Sequence, residues 1–127
     1  INLLKDLQKD FGLTLLFITH DLGVIKHTSD RIAVMYAGKL VELASKQDLF
    51  SDPLHPYTQA LLSAIPVPDP ERQTQYIPLT GEVPSLIHPP PGCRFHPRCT
   101  QARPDCSTRE PELLEVKKDH FVSCFPP

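Results

Sequence analysis

Apolar residues recur at Leu3, Leu4, Leu7 and Phe11, the spacing of one helical face, and Gly12 follows as a stop, so a helix is expected from Ile1 to Phe11. Leu13-Thr14-Leu15-Leu16-Phe17-Ile18-Thr19 is a nearly continuous apolar run without alternation. That pattern predicts a strand covered on both faces, as in a parallel sheet. Asp21 is placed to cap a short helix through Val24, Ile25 and Thr28. Two strand-like runs, Arg31 to Ala37 and Lys39 to Ala44, flank Gly38, and Ala37-Gly38-Lys39 has the chemistry of a hairpin turn. Ser45 opens Ser-Lys-Gln-Asp, an imperfect capping box ahead of Leu49 and Phe50.

The pattern changes past Asp52. His55-Pro56-Tyr57 puts proline at a natural first helical position, with Tyr57, Ala60, Leu61 and Ala64 as the apolar face. From 65 to 91 prolines punctuate the chain at Pro66, Pro68, Pro70, Pro78, Pro84 and Pro89 to Pro91, which predicts an extended surface path. The last stretch, 92–127, carries all four cysteines and only one short helix, expected around Glu112 to Val116. So few apolar residues do not order a region by burial alone, and a staple is required.

Composition sharpens this division. None of the fifteen prolines precedes Pro53, so two unlike regions are expected, 1–51 and 52–127. The chain starts at Ile1, within the first helix, and reads as a piece of a longer protein. Net charge is −2, which gives no footprint for nucleic acid. The longest apolar run is too short to span a bilayer.

The first candidate for chemistry is His20, where the apolar run emerges. Ligands collect at the carboxyl ends of strands in open α/β sheets, and an imidazole there can donate to a phosphate oxygen and help place an attacking water. Position alone favours an ordinary loop histidine. The residues from Leu15 to Val24, with Asp30-Arg31-Ile32-Ala33-Val34-Met35-Tyr36-Ala37-Gly38-Lys39-Leu40-Val41-Glu42, resemble the switch-histidine region of ABC-transporter ATPases. The resemblance implies an α/β fold, namely the C-terminal end of a P-loop ATPase domain. It assigns His20 to the γ-phosphate of ATP sandwiched between two subunits. Gly38-Lys39 is no phosphate cradle, because Ala33 and Leu40 stand where that motif needs Gly and Ser or Thr. The family's Walker A, Q-loop, signature and Walker B motifs are absent from this chain, so ATP with Mg²⁺ is expected to be used only by the intact subunit.

His55-Pro56-Tyr57-Thr58-Gln59-Ala60-Leu61-Leu62-Ser63-Ala64-Ile65-Pro66 resembles the C-terminal extension of oligopeptide and dipeptide transporter ATPases. Gly81-Glu82-Val83-Pro84-Ser85 and the run from Pro90 to Cys99 continue the likeness. Five, six and seventeen residues separate Cys93, Cys99, Cys106 and Cys124. Two disulfides suit an oxidising compartment, not one supplied with cytoplasmic ATP. Four thiolates, with His96 as an alternative ligand, could form a zinc cage, although tight Cys-x-x-Cys pairs are missing. Wider spacing suits an iron–sulfur cube, and Arg94, Arg98, Arg103 and Arg109 could offset its charge or simply form a solvated face. The resemblance implies a [4Fe–4S] cluster on these four cysteines, as in some members, with zinc or free thiols as alternatives. His27, His88 and His120 read as ordinary histidines, and His55 as a helix-entry residue. The family further implies a second ATPase subunit, two membrane permeases and, indirectly, an extracytoplasmic solute-binding protein, with the chain peripheral on the cytoplasmic face of the membrane.

Overall fold

A computed structural model describes residues 2–65 and 76–125. The first helix, α1 (Asn2–Phe11), stops at Gly12, whose φ of 63° is left-handed, and Leu13 N–H donates to the Gln8 carbonyl at 3.0 Å to close the last turn. Asp21 caps α2 (Leu22–Thr28), its Oδ1 accepting from Val24 N–H at 3.1 Å. Then β1 (Arg31–Tyr36) and β2 (Lys39–Ser45) form an antiparallel hairpin. Ala37 and Gly38, at φ 47° and 80°, supply the two left-handed positions that a two-residue hairpin turn demands.

Ser45 caps α3 (Lys46–Ser51) by accepting from Asp48 N–H at 3.1 Å. His55 caps α4 (Pro56–Ser63), its Nδ1 accepting from Tyr57 N–H at 3.1 Å, with Pro56 opening the helix. Near the end, β3 (Leu114–Lys117) and β4 (His120–Val122) form a second hairpin. All pairs are antiparallel, and the strand order is β1-β2-β4-β3. The tail thus extends the sheet begun by the first hairpin. Ile32, Val34 and Tyr36 of β1, Val41 and Ala44 of β2, Leu49 of α3 and Phe95 form the core. Ile25, Tyr57, Leu61, Leu79, Cys93 and Cys99 pack around it.

Three expectations are corrected. Residues 13–19 form no strand, and Leu16 and Ile18 are 90% and 94% exposed. A buried parallel strand exists only between ladder partners, and none lies beside this run among the described residues. The observed sheet is accordingly antiparallel. Glu112 to Val116 is not helical, because Leu114 to Lys117 pairs with β4 through a turn at Lys118 and Asp119. The expected apolar face of α4 differs: Ala64 caps the helix end and is exposed, and Thr58 is buried instead. Residues 76–91 contain neither helix nor strand, as the prolines require, while Pro66, Pro68 and Pro70 lie outside the described residues.

Candidate functional site

His20 follows the exposed run and precedes the capped start of α2. Thr19 Oγ1 accepts from Asp21 N–H at 3.0 Å and Asp21 caps the helix, so both neighbours of His20 are locally fixed. The imidazole itself is exposed. Among the described residues no phosphate-binding loop accompanies it, and the Gly38-Lys39 pair is the hairpin turn.

The four cysteines are gathered in the tail. Cys93 N–H donates to the Cys106 carbonyl at 2.8 Å, which ties their two segments together. Gly92 permits this approach: with φ at 70°, a Cβ there would lie 2.4 Å from the Cys106 carbonyl oxygen. Short 3-10 turns at His96–Arg98 and Pro104–Ser107 fold the loop tightly around Cys99 and Cys106. His96 Nδ1 donates to the Cys93 carbonyl at 2.8 Å, and Arg103 N–H reaches Cys106 Sγ at 3.4 Å.

All four thiols are free and half-buried. Burial pushes the Cys93 and Cys99 thiols up, and burial together with the neighbouring Cys93, Cys99 and Cys106 pushes Cys124 up to about 11. That mutual influence places the four in one electrostatic neighbourhood. Even so, among the described residues no three His, Cys, Asp or Glu side chains converge closely enough to hold a metal ion.

The arginines near the cysteines have specific partners. Arg94 Nη1 donates to the Ala37 carbonyl, and Arg98 donates to the Thr80 carbonyl at 3.2 Å and reaches Tyr36 Oη at 3.5 Å. Arg103 pairs with Asp105 at 3.3 Å, and Arg109 lies over the Phe125 ring at 5.2 Å. Arg94 and Arg98 therefore anchor the loop to the first hairpin rather than forming a solvated face.

Sequence reasoning missed a buried carboxylate. Glu42, fully buried on β2, accepts from Leu54 N–H at 2.8 Å, His55 N–H at 3.0 Å and His120 Nε2 at 2.7 Å. Its three donors come from the α4 entry and from β4, so one side chain joins the hairpin to two separate parts of the tail. His120 is 1% exposed and belongs to this network. Beside it His55, Tyr36, Tyr57 and Phe95 form an aromatic cluster with centroid separations of 4.6 to 5.6 Å. A signal for Glu42 was present: a lone acidic residue inside an apolar strand.

The family described as the C-terminal region of the oligopeptide/dipeptide transporter matches residues 41–106. The chain is 52% identical over 126 residues to YkfD, an oligopeptide transport ATP-binding protein of Bacillus subtilis, covering 98% of this chain and 38% of that protein. AppF, an oligopeptide transport ATP-binding protein of the same organism, gives the same identity and coverage. A peptide import ATP-binding protein of Brucella ovis is 51% identical over 125 residues, covering 98% of this chain and 39% of its own. The chain therefore spans about two fifths of the length of these relatives.

Proposed function

The chain belongs to the oligopeptide/dipeptide transporter family through its C-terminal region, and from that membership we propose that the intact protein is the ATP-binding subunit of an ABC importer. It couples hydrolysis of ATP, taken with Mg²⁺, to uptake of oligopeptides, dipeptides or related small solutes. The observation that carries this reading is near-complete coverage of the chain at 52% identity by relatives named as peptide transport ATP-binding proteins. The subunit pairs with a second ATPase subunit and two permeases on the cytoplasmic face of the membrane, and receives solute indirectly from an extracytoplasmic binding protein. No helix among the described residues is long and apolar enough to cross a membrane.

Residues 1–51 are then the end of the nucleotide-binding domain and 52–127 the transporter-specific extension. The run 13–19, which forms no strand in this chain, takes up strand pairing in the intact subunit, where the partner strands of a P-loop sheet belong to the rest of the protein. His20, at the end of that strand, donates to the γ-phosphate and helps place the attacking water, while phosphate cradling and charge stabilisation come from the missing motifs. The chain alone does not turn over ATP. Changing His20 to Ala in the intact subunit is expected to lower ATP turnover by at least about 100-fold with nucleotide binding retained. Near-normal hydrolysis would overturn the assignment.

Cys93, Cys99, Cys106 and Cys124 are the ligand set of a [4Fe–4S] cluster, with zinc as the alternative metal. What supports this is the gathering of all four thiols in one loop region, close enough that, beyond burial, Cys93, Cys99 and Cys106 raise the Cys124 pKa. A bound cluster would supply a rigid crosslink of a loop-rich region and a redox centre. His96 and Arg103 hold the Cys93 carbonyl and the Cys106 segment in place for it. A second reading, that the tail is a docking module without chemistry, is favoured by β4 pairing directly onto β2.

A further inference from the structure

We infer that the loop carrying Cys93 is a clamp on the β1–β2 turn, so that the state of the cysteines is transmitted to the hairpin of the ATPase part. The inference deepens the reading given above, resting on it for what loads the loop and not for the clamp itself.

Every residue of the turn is held by a tail residue close to a cysteine. The Tyr36 ring meets Phe95 edge-on at 5.0 Å, and its hydroxyl lies 3.5 Å from Arg98 Nη1. The Ala37 carbonyl accepts from Arg94 Nη1. A Cβ on Gly38 would sit 3.4 Å from that same guanidinium nitrogen, so Arg94 lies directly against the turn. Lys39 Nζ is 2.6 Å from Glu110. Ala37 has φ of 47°, a backbone state a non-glycine residue keeps only where its surroundings hold it.

The other side of the clamp is the cysteine loop. Arg94 and Phe95 directly follow Cys93, whose N–H is bonded to the Cys106 carbonyl. A Cβ on Gly92 would lie 2.4, 2.8 and 3.0 Å from backbone atoms of Cys106, Ser107 and Thr108, so no side chain is admitted there. Phe95 is 2% exposed and wedged among Tyr36, Tyr57 and His55. The backbone of Arg94 and Phe95 is continuous with Cys93, and so with its tie to Cys106. Loosening the loop therefore releases the turn, and a ligand that fixes the four cysteines tightens it. Such a ligand favours the clamped arrangement by its differential affinity for it.

The test is hydrogen exchange over 35–41 in the intact subunit, with iron and zinc measured on the same samples. Arg94→Met is expected to leave metal content unchanged and to speed exchange by about tenfold or more. Cys93→Ser combined with Cys99→Ser is expected to remove the metal and speed exchange comparably. Wild-type exchange in either variant overturns the inference. Loss of protection throughout α4 marks general unfolding of the tail, and the milder Arg94→Lys then decides by the same criterion. A wild-type subunit with neither iron nor zinc refutes the ligand-set reading. The clamp is then judged by Arg94→Met and Gly92→Val, and unchanged exchange in both overturns it.

Discussion

Two apolar stretches of this chain meet opposite fates. Residues 13–19 contain five large apolar side chains and form no ladder, with Leu16 and Ile18 almost fully exposed. Residues 31–45 are no richer in such side chains, yet Ile32, Val34, Tyr36 and Val41 are at most 8% exposed. The difference is partnership. The second stretch carries its own turn at Ala37 and Gly38, pairs with itself, and receives Phe95, β4 and three helices against it. Apolar content supplies the drive to bury, but backbone pairing must be available before a strand can form.

The sharpest way to break that partnership is at Glu42. It is fully buried and accepts three hydrogen bonds from the tail, so Glu42→Ala leaves His120 and two backbone donors without their acceptor. The expected loss is about 3–5 kcal/mol, read by urea denaturation of the chain. A loss below about 1 kcal/mol, the size of an exposed pair, would mean that the tail is held to β2 by other contacts. The exposed pair between Lys117 and Asp52, which holds the Asp52 carboxyl below its usual range, offers that comparison inside the same molecule.

The local grammar of the chain was legible because it is encoded locally. Gly12 as a stop, Asp21 and Ser45 as caps, Pro56 as a helix opening and the Ala37-Gly38 turn all depend on residues a few positions apart. What depended on distance was not legible. Glu42 and His120 are 78 positions apart, and no periodicity links them. A register shift between Val34 and Met35 sets one step on β1 against two on β2, so Val41 and Glu42 are buried in succession and alternation misleads. The β3–β4 hairpin was obscured because four- and three-residue strands are too short to separate their period from a helical one. Of the candidate site, the backbone tie between Cys93 and Cys106 and the anchoring roles of Arg94 and Phe95 required the fold.

Acid tests the same join more gently. Burial lowers the pKa of His55 from its ordinary 6.5 to about 4, with the nearby Glu42 partly opposing the shift. The unfolded chain therefore binds a proton more readily than the folded one between these values. The stability contributed by neutral His55 is complete above pH 6.5 and is lost as pH falls toward 4. Its full size is on the order of 3 kcal/mol, and the melting temperature of the chain should fall across that window. Substituting His55 with Asn, which keeps a capping acceptor without a titrating ring, should flatten the decline. An equally steep decline in that variant would move the acid sensitivity to another group.

The smallest expected effect lies at the unpartnered stretch. Ile18 is 94% exposed, so Ile18→Ser removes no buried surface from this chain and should change its unfolding free energy by no more than about 0.5 kcal/mol. In the intact subunit the proposed strand is covered on both faces, and the same substitution should cost about 2–4 kcal/mol, because a large apolar side chain is deleted from a packed interior and a hydroxyl is left there. The two measurements together isolate the contribution of the surroundings, since the substituted residue and its immediate neighbours are identical. A small change in both would mean that 13–19 remains solvent-exposed in the complete protein, and His20 would then lack the rigid strand end that its assignment to the phosphate site requires.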